Sequence, residues 1–115
     1  MSAIVTVYAT FADADEAATV ARTVVEERLA ACANLLAPCT SIYRWLGAVE
    51  EAQEVPGLFK TRAELAERLI ARIAELHSYE VPAAVVWPID HALPAYVDWV
   101  AEEVTSRRKP GFRED

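Results

Sequence analysis

From Cys39 to Leu46 the chain reads Cys-Thr-Ser-Ile-Tyr-Arg-Trp-Leu, a β-branched and aromatic run with no polar side. Residues two apart share one face of a strand. Cys39, Ser41, Tyr43 and Trp45 therefore fall on one face, and Thr40, Ile42, Arg44 and Leu46 on the other. A second run divides in the same way, into Ala83, Val85 and Trp87 against Ala84 and Val86. A sheet with one face in water carries polar residues at alternate positions, and neither run does. Both faces are expected to be covered, and a homo-oligomer stacking sheet on sheet is the simplest cover.

The chain has 115 residues, the size of one domain, with roughly two-thirds of its unfolded surface buried on folding. Eighteen acidic residues against eleven basic ones leave a net charge of −7. The one basic cluster, Arg107-Arg108-Lys109, lies in the last nine residues. A nucleic-acid partner needs a concentrated basic face, so that class is not expected. The sequence has no apolar run of membrane-spanning length and no basic-then-apolar leader, so a soluble cytoplasmic protein is expected. Two cysteines in apolar surroundings, Cys32 and Cys39, suit reduced thiols better than a disulfide framework.

The first strand is expected over Ala3–Thr10, from its β-branched and aromatic content. Asp13 and Glu16 have the spacing of an N-cap and its acidic companion. Ala17, Val20, Ala21, Val24 and Leu29 continue a helical stripe to about Cys32. A second strand follows over Ala33–Trp45, broken at Pro38, with a turn at Leu46-Gly47-Ala48. A third strand, Glu50–Lys60, contains Pro56-Gly57 and is expected to bend or bulge there. Thr61 and Glu64 have capping-box spacing ahead of the stripe Leu65, Leu69, Ile73 and Leu76, a second helix ending near His77. A fourth strand over Pro82–Pro88 and a third helix from Leu93 to about Ser106 complete the order, and residues 107–115 are expected to be a loose tail. One hairpin between two crossovers defines an α+β, ferredoxin-like βαββαβ sandwich with an antiparallel sheet and an extra C-terminal helix.

Five ordered blocks resemble the CutA family of divalent-cation tolerance proteins over nearly the whole chain. They are Glu26-Glu27-Arg28-Leu29-Ala30-Ala31-Cys32-Ala33-Asn34, Ser41-Ile42-Tyr43-Arg44-Trp45-Leu46-Gly47, Glu54 through Leu58 to Lys60-Thr61, His77-Ser78-Tyr79-Glu80-Val81-Pro82, and Tyr96-Val97-Asp98-Trp99. The resemblance implies the same ferredoxin-like fold and a homotrimer similar to PII-type signalling proteins. It also implies binding of copper or another divalent cation, with no catalytic reaction. The chain departs from the family pattern in three places. Ser78 stands where the family has proline, Val55-Pro56-Gly57 replaces a continuous strand, and Asp90-His91-Ala92-Leu93 lacks the usual glycine. Cys39 and His91 lie outside the family blocks.

Cys32, His77 and Glu80 are the candidate cation ligands. A thiolate suits Cu(I), or Cu(II) and zinc together with imidazole. His77 and Glu80 bracket a turn on which imidazole and carboxylate can converge. Each has a plainer reading: Cys32 as a buried small hydrophobe, and His77 as a helix C-cap meeting the negative end of the dipole. Tetrahedral zinc takes four ligands, so a tight site has to borrow from another subunit. Asp90 with His91 is a looser pair. Lys60 precedes a helix N-terminus, where a cation is unfavourable. An acidic partner such as Glu54 or Glu80 would explain it, as would an anionic ligand in a cleft between subunits. Tyr43, Trp45, Trp87, Tyr96 and Trp99 are candidates to line that cleft or an interface. Isolated glycines and the absence of a nucleophile constellation argue against an acylphosphatase-like enzyme. Two readings stand: a homotrimer that binds divalent cations, copper first, for metal tolerance, and a PII-like module that holds a small ligand or a partner loop near Lys60, Glu80 and Trp99.

Overall fold

The computed structural model describes residues 2–104, so the Arg107-Arg108-Lys109 cluster and the expected tail lie outside the described residues. Strand β1 (Ile4–Phe11) leads into helix α1 (Ala14–Glu26), then β2 (Cys32–Leu35), β3 (Cys39–Trp45) and β4 (Ala48–Arg62). A short 3-10 turn, Ala63–Leu65, opens helix α2 (Ala66–Leu76), and strand β5 (Ala84–Pro88) and helix α3 (Pro94–Glu103) follow. The sheet order is β2-β4-β1-β5, with every neighbouring pair antiparallel and β3 paired to the first half of β4. This is the split βαβ arrangement expected from the element order.

Helix α1 begins as its sequence dictates: the Asp13 carboxylate accepts the Glu16 amide at 2.8 Å and satisfies an orphan donor of the first turn. Its buried stripe is Ala17, Val20, Ala21 and Val24. The helix ends earlier than its apolar spacing implies. Arg28 takes a left-handed φ of 64°, the Arg28 amide bonds Val25 O, and the Leu29 amide bonds Val24 O. That pairing is a Schellman closure with arginine where glycine is usual. A guanidinium N–H of Arg28 reaches Glu102 O at 3.3 Å, tying the end of α1 to α3. Cys32 consequently opens β2 and does not close α1.

The expected capping box at Thr61 does not form. Thr61 belongs to β4, and its hydroxyl donates to Leu29 O at 2.7 Å, while neither the 3-10 turn nor α2 has a side-chain cap. Of the two interruptions expected in the hairpin, the break at Pro38 is present, between Leu35 and Cys39, and the bend at Pro56-Gly57 is not. β4 runs unbroken through Pro56-Gly57, and its partner is the strand that breaks. Leu35 pairs with Gly57 and Cys39 with Glu54, so Leu36, Ala37 and Pro38 oppose only Val55 and Pro56. The extra residue is a bulge on the β2–β3 side. Pro56 tolerates this position because its carbonyl accepts from Leu36 N at 3.0 Å. In an antiparallel strand the N and C=O of one residue face the same neighbour, so the missing donor falls where the ladder is already open.

The main core lies between one sheet face and helices α1 and α2. Val7, Ala9, Phe11, Val55 and Phe59 of the sheet meet Val20, Val24, Leu69 and Ile73 of the helices. Each such large aliphatic or aromatic side chain stabilises the fold by about 1.5–3 kcal/mol on burial. Helix α3 covers the opposite sheet face at one end, where Val100 and Val104 pack with Ile4, Ala31 and Leu65. Past that patch, β3 and the first half of β4 run out as an uncovered two-stranded arm, and the molecule is 50 Å in its long dimension. The arm turns on Leu46 (φ 51°) and Gly47 (φ 83°), the positive-φ pair of a type I′ turn.

Candidate functional site

Two clusters carry polar chemistry. The first lies on the sheet face that α1 and α2 do not cover. Cross-strand register places Cys32 opposite Lys60, Lys60 opposite Thr6, and Thr6 opposite Trp87. One row thus carries a thiol, an ammonium, a hydroxyl and an indole. The Lys60 ammonium donates to Asn34 Oδ1 at 3.2 Å. No ion pair joins Lys60 to Glu54 or Glu80 among the described residues, so the acidic partner expected for it is replaced by an amide. Tyr8 and Trp87 stack with ring centroids 4.8 Å apart. Cys32 Sγ and Tyr96 Oη lie 3.4 Å apart, and Tyr96 stacks on Trp99. Burial, followed by the bond to Cys32, pushes the Tyr96 phenol up to about 12, so it stays protonated at neutral pH.

The second cluster sits where the arm leaves the body. The two-residue turn sets the pairing back from Trp45 opposite Ala48 to Cys39 opposite Glu54. Ser41 Oγ donates to Glu54 Oε1 at 2.7 Å, and Tyr79 Oη donates to Glu54 Oε2 at 2.9 Å. Cys39 Sγ lies 3.8 Å from the same Ser41 hydroxyl. Burial pushes the Tyr79 phenol up to about 12, and the Glu54 carboxylate adds to the rise. Tyr79 is carried by the turn that His77 begins. His77 Nε2 lies 2.7 Å from Thr10 O, a group that only accepts, so Nε2 bears the proton and Nδ1 accepts the Tyr79 amide at 3.0 Å. The ring also stacks on Phe11. Glu16 closes the turn by accepting the Ser78 amide and hydroxyl.

The three candidate cation ligands do not converge within one chain. His77 is buried with both ring nitrogens engaged, which is the structural role open to it at a helix end and leaves no lone pair for a cation. Glu80 is exposed, and Cys32 is half-buried on the Lys60 row. Thr6 faces that row and Thr10 holds His77, so roughly 13 Å of strand separates the thiol from the imidazole turn. Among the described residues no three His, Cys, Asp or Glu side chains are grouped to hold a metal ion. Of the cleft candidates, Trp99 sits beside the Cys32–Tyr96 contact, near the Lys60 row. Tyr43 and Trp45 stand on the arm, 40% and 43% exposed. Asp90 and His91 line an open pocket at the start of α3, and Asp90 accepts the Ser2 hydroxyl. The Ser41–Glu54–Tyr79 group was not anticipated as a unit. Counting outward from Leu46-Gly47 brings Cys39 to Glu54, but nothing local brings Tyr79, 25 residues further on, to the same carboxylate.

No helix among the described residues is long and apolar enough to cross a membrane. The family model described as CutA1 divalent ion tolerance protein matches residues 5–103. The divalent-cation tolerance protein CutA of Pyrococcus horikoshii is 43% identical over 100 residues, covering 87% of this chain and 97% of that protein. The mouse protein CutA is 40% identical over 92 residues, 80% of this chain, which spans about half (52%) of the mouse protein's length. The solved structure of the periplasmic divalent cation tolerance protein CutA from Archaeoglobus fulgidus superposes with a TM-score of 0.86 at 32% identity, covering 89% of this chain and 99% of that one. The chain belongs to the CutA1 divalent ion tolerance family.

Proposed function

We propose that this member of the CutA1 family is a cytoplasmic homotrimer that binds divalent cations, copper foremost, and serves metal tolerance by that binding. The observation that carries the assembly is the arm. Ile42 is 69% exposed and Leu46 89%, with Tyr43, Trp45 and Val49 also open, so apolar side chains stand free on both faces of a two-stranded ribbon. Such a ribbon is marginal in water without a cover, and copies of the same chain supply one. Cys32 and Glu80 are the ligands that fit this reading, Cys32 as a soft donor and Glu80 as an exposed carboxylate. Their separation requires groups from adjoining protomers to complete each site. His77 holds the turn that presents Glu80 and does not coordinate. The two thiols, which are not joined to each other, agree with a reducing compartment.

Titration of Cu(II) and Zn(II) into the wild type, Cys32→Ala and Glu80→Ala tests the ligands, with light scattering to report assembly. A fall in affinity in both variants is expected. Unchanged affinity in both removes the assignment, absence of any cation binding removes the activity, and a stable wild-type monomer removes the trimer.

A second reading is supported by Lys60, a half-buried residue whose ammonium has an amide for its partner and whose row includes Trp87 of the Tyr8–Trp87 stack. A PII-like module would place a small anionic ligand there, with Lys60, Tyr43, Trp45 and Trp99 lining clefts between protomers. A thermal-shift screen of nucleotides and organic acids separates the two readings: stabilisation by such a compound, with none from metals, favours the second.

A further inference from the structure

We propose that Cys39 and Glu54 form a cation site of their own at the root of the arm, one that takes a thiophilic divalent ion of the zinc and cadmium class. The two residues are direct cross-strand partners, which puts their side chains on one face with Cβ atoms about 5 Å apart. Both groups converge on a single point, the Ser41 hydroxyl, which lies 3.8 Å from the Cys39 sulfur and 2.7 Å from a Glu54 oxygen. A hydroxyl there can turn aside by rotation about one bond, and the place it leaves is shared by a soft and a hard donor.

The charge balance points the same way. The half-buried Glu54 carboxylate is held by two neutral donors, Ser41 and Tyr79, and forms no ion pair with a Lys, Arg or His among the described residues. A carboxylate partly withdrawn from water and lacking a counter-charge gains from an adjacent cation. Each of its oxygens keeps a lone pair beyond the bond it accepts. Tyr79, donating to Glu54 Oε2 at 2.9 Å, fixes the orientation of the carboxylate, as outer-shell donors do for metal ligands.

Binding releases the thiol proton to solvent, and sulfur and a carboxylate oxygen become ligands at about 2.3 and 2.1 Å in the zinc case. Two protein ligands leave positions open for water, so the site is an exchangeable one and not a closed structural centre. It is independent of the reading built on Cys32, because Cys32 lies opposite Lys60, six residues further along β4.

Cadmium titration of the Cys32→Ala protein tests this, since Cys39 is then the sole thiol. One thiolate-to-cadmium absorption band per chain is expected. It should vanish in Cys32→Ala/Cys39→Ser. Affinity should fall about tenfold in Tyr79→Phe through loss of carboxylate orientation, and further in Glu54→Gln, with circular dichroism confirming that each variant is folded. X-ray absorption at the cadmium edge on Cys32→Ala gives a readout that needs no Glu54 variant, and one sulfur among oxygen ligands is expected. The absence of the band in Cys32→Ala, all-oxygen coordination, or an affinity indifferent to Glu54→Gln in a folded variant overturns the proposal. None of these results bears on copper binding through Cys32, which is read in the Cys39→Ser protein.

Discussion

Glu16 and Ser78, 62 positions apart, are joined by a two-point clamp: the Ser78 amide donates to Glu16 Oε2 at 2.6 Å and its hydroxyl to Oε1 at 3.1 Å. The same carboxylate accepts the Ala12 amide, so it ties the start of α1 to the turn after α2. His77 Nδ1 lies 3.6 Å away. The turn that carries Tyr79 and Glu80 is thus held by a side chain from the first crossover. The clamp depends on the Ser78 amide, and a proline at position 78 would have no N–H to donate.

Ser78→Pro is expected to lower stability by about 1 kcal/mol. Loss of a bond to a charged acceptor costs about 1.5–3 kcal/mol, and the reduced freedom of the unfolded chain returns about 0.4–1. Ser78→Ala, which keeps the amide, should cost less. Denaturant unfolding of the two variants checks the order, and a stabilised Ser78→Pro would show that the amide bond contributes little.

Acid should release the clamp. Burial alone would raise the Glu16 pKa, but the Ser78 and Ala12 amides and the Ser78 hydroxyl outweigh it and hold the carboxyl below its ordinary 4.5. A depressed folded-state value means that the unfolded chain binds the proton more readily. The stabilisation is therefore complete above about pH 4.5 and fades as the pH falls through the lower folded value. Glu16→Gln should flatten the stability profile in that window alone, which thermal unfolding at stepped pH will read.

Gly57→Ala is expected to destabilise the fold by about 1–3 kcal/mol through overpacking. An added Cβ would stand 3.0 Å from Phe59 Cε1, 3.2 Å from Leu35 Cδ2 and 3.3 Å from Phe11 Cε2. Phe11 and Phe59 are fully buried rings that cannot swing aside. An unfolding midpoint equal to wild type would show that the rings yield.

Ile42→Glu should leave the single chain folded and abolish assembly. At 69% exposure the new charge meets water within one chain, whereas in a sheet-on-sheet interface it would be buried unpaired. Light scattering with circular dichroism separates the outcomes: a folded monomer is expected, and an intact oligomer would place the interface elsewhere.

Much of the fold was legible because its signals are local. Asp13 and Glu16 mark the start of α1, and Leu69 and Ile73 keep their stripe. The end of α1 was not legible, since Arg28 occupies a left-handed position with no glycine to announce it. Thr61 looked like a helix cap because its spacing to Glu64 is right, but a carbonyl from another segment, Leu29 O, claims its hydroxyl. The candidate site was read less well. Cys32, His77 and Glu80 were singled out by chemistry and by resemblance, and chemistry alone does not report that both His77 nitrogens are already used.

The sequence by itself determined the order of strands and helices, the two-sided apolar run, the Leu46-Gly47 turn and the membership of the family, all of which rest on spacing within one segment or on ordered motifs. Only the tertiary structure decided that Glu54 meets Tyr79 and not Lys60, that His77 supports a turn, and that β4 runs unbroken through Pro56-Gly57 while its partner takes the bulge. The physical reason is that each of these rests on which donors and acceptors are left over once distant strands have chosen their register. That choice is made by burial of the whole sheet and not by any one stretch of residues.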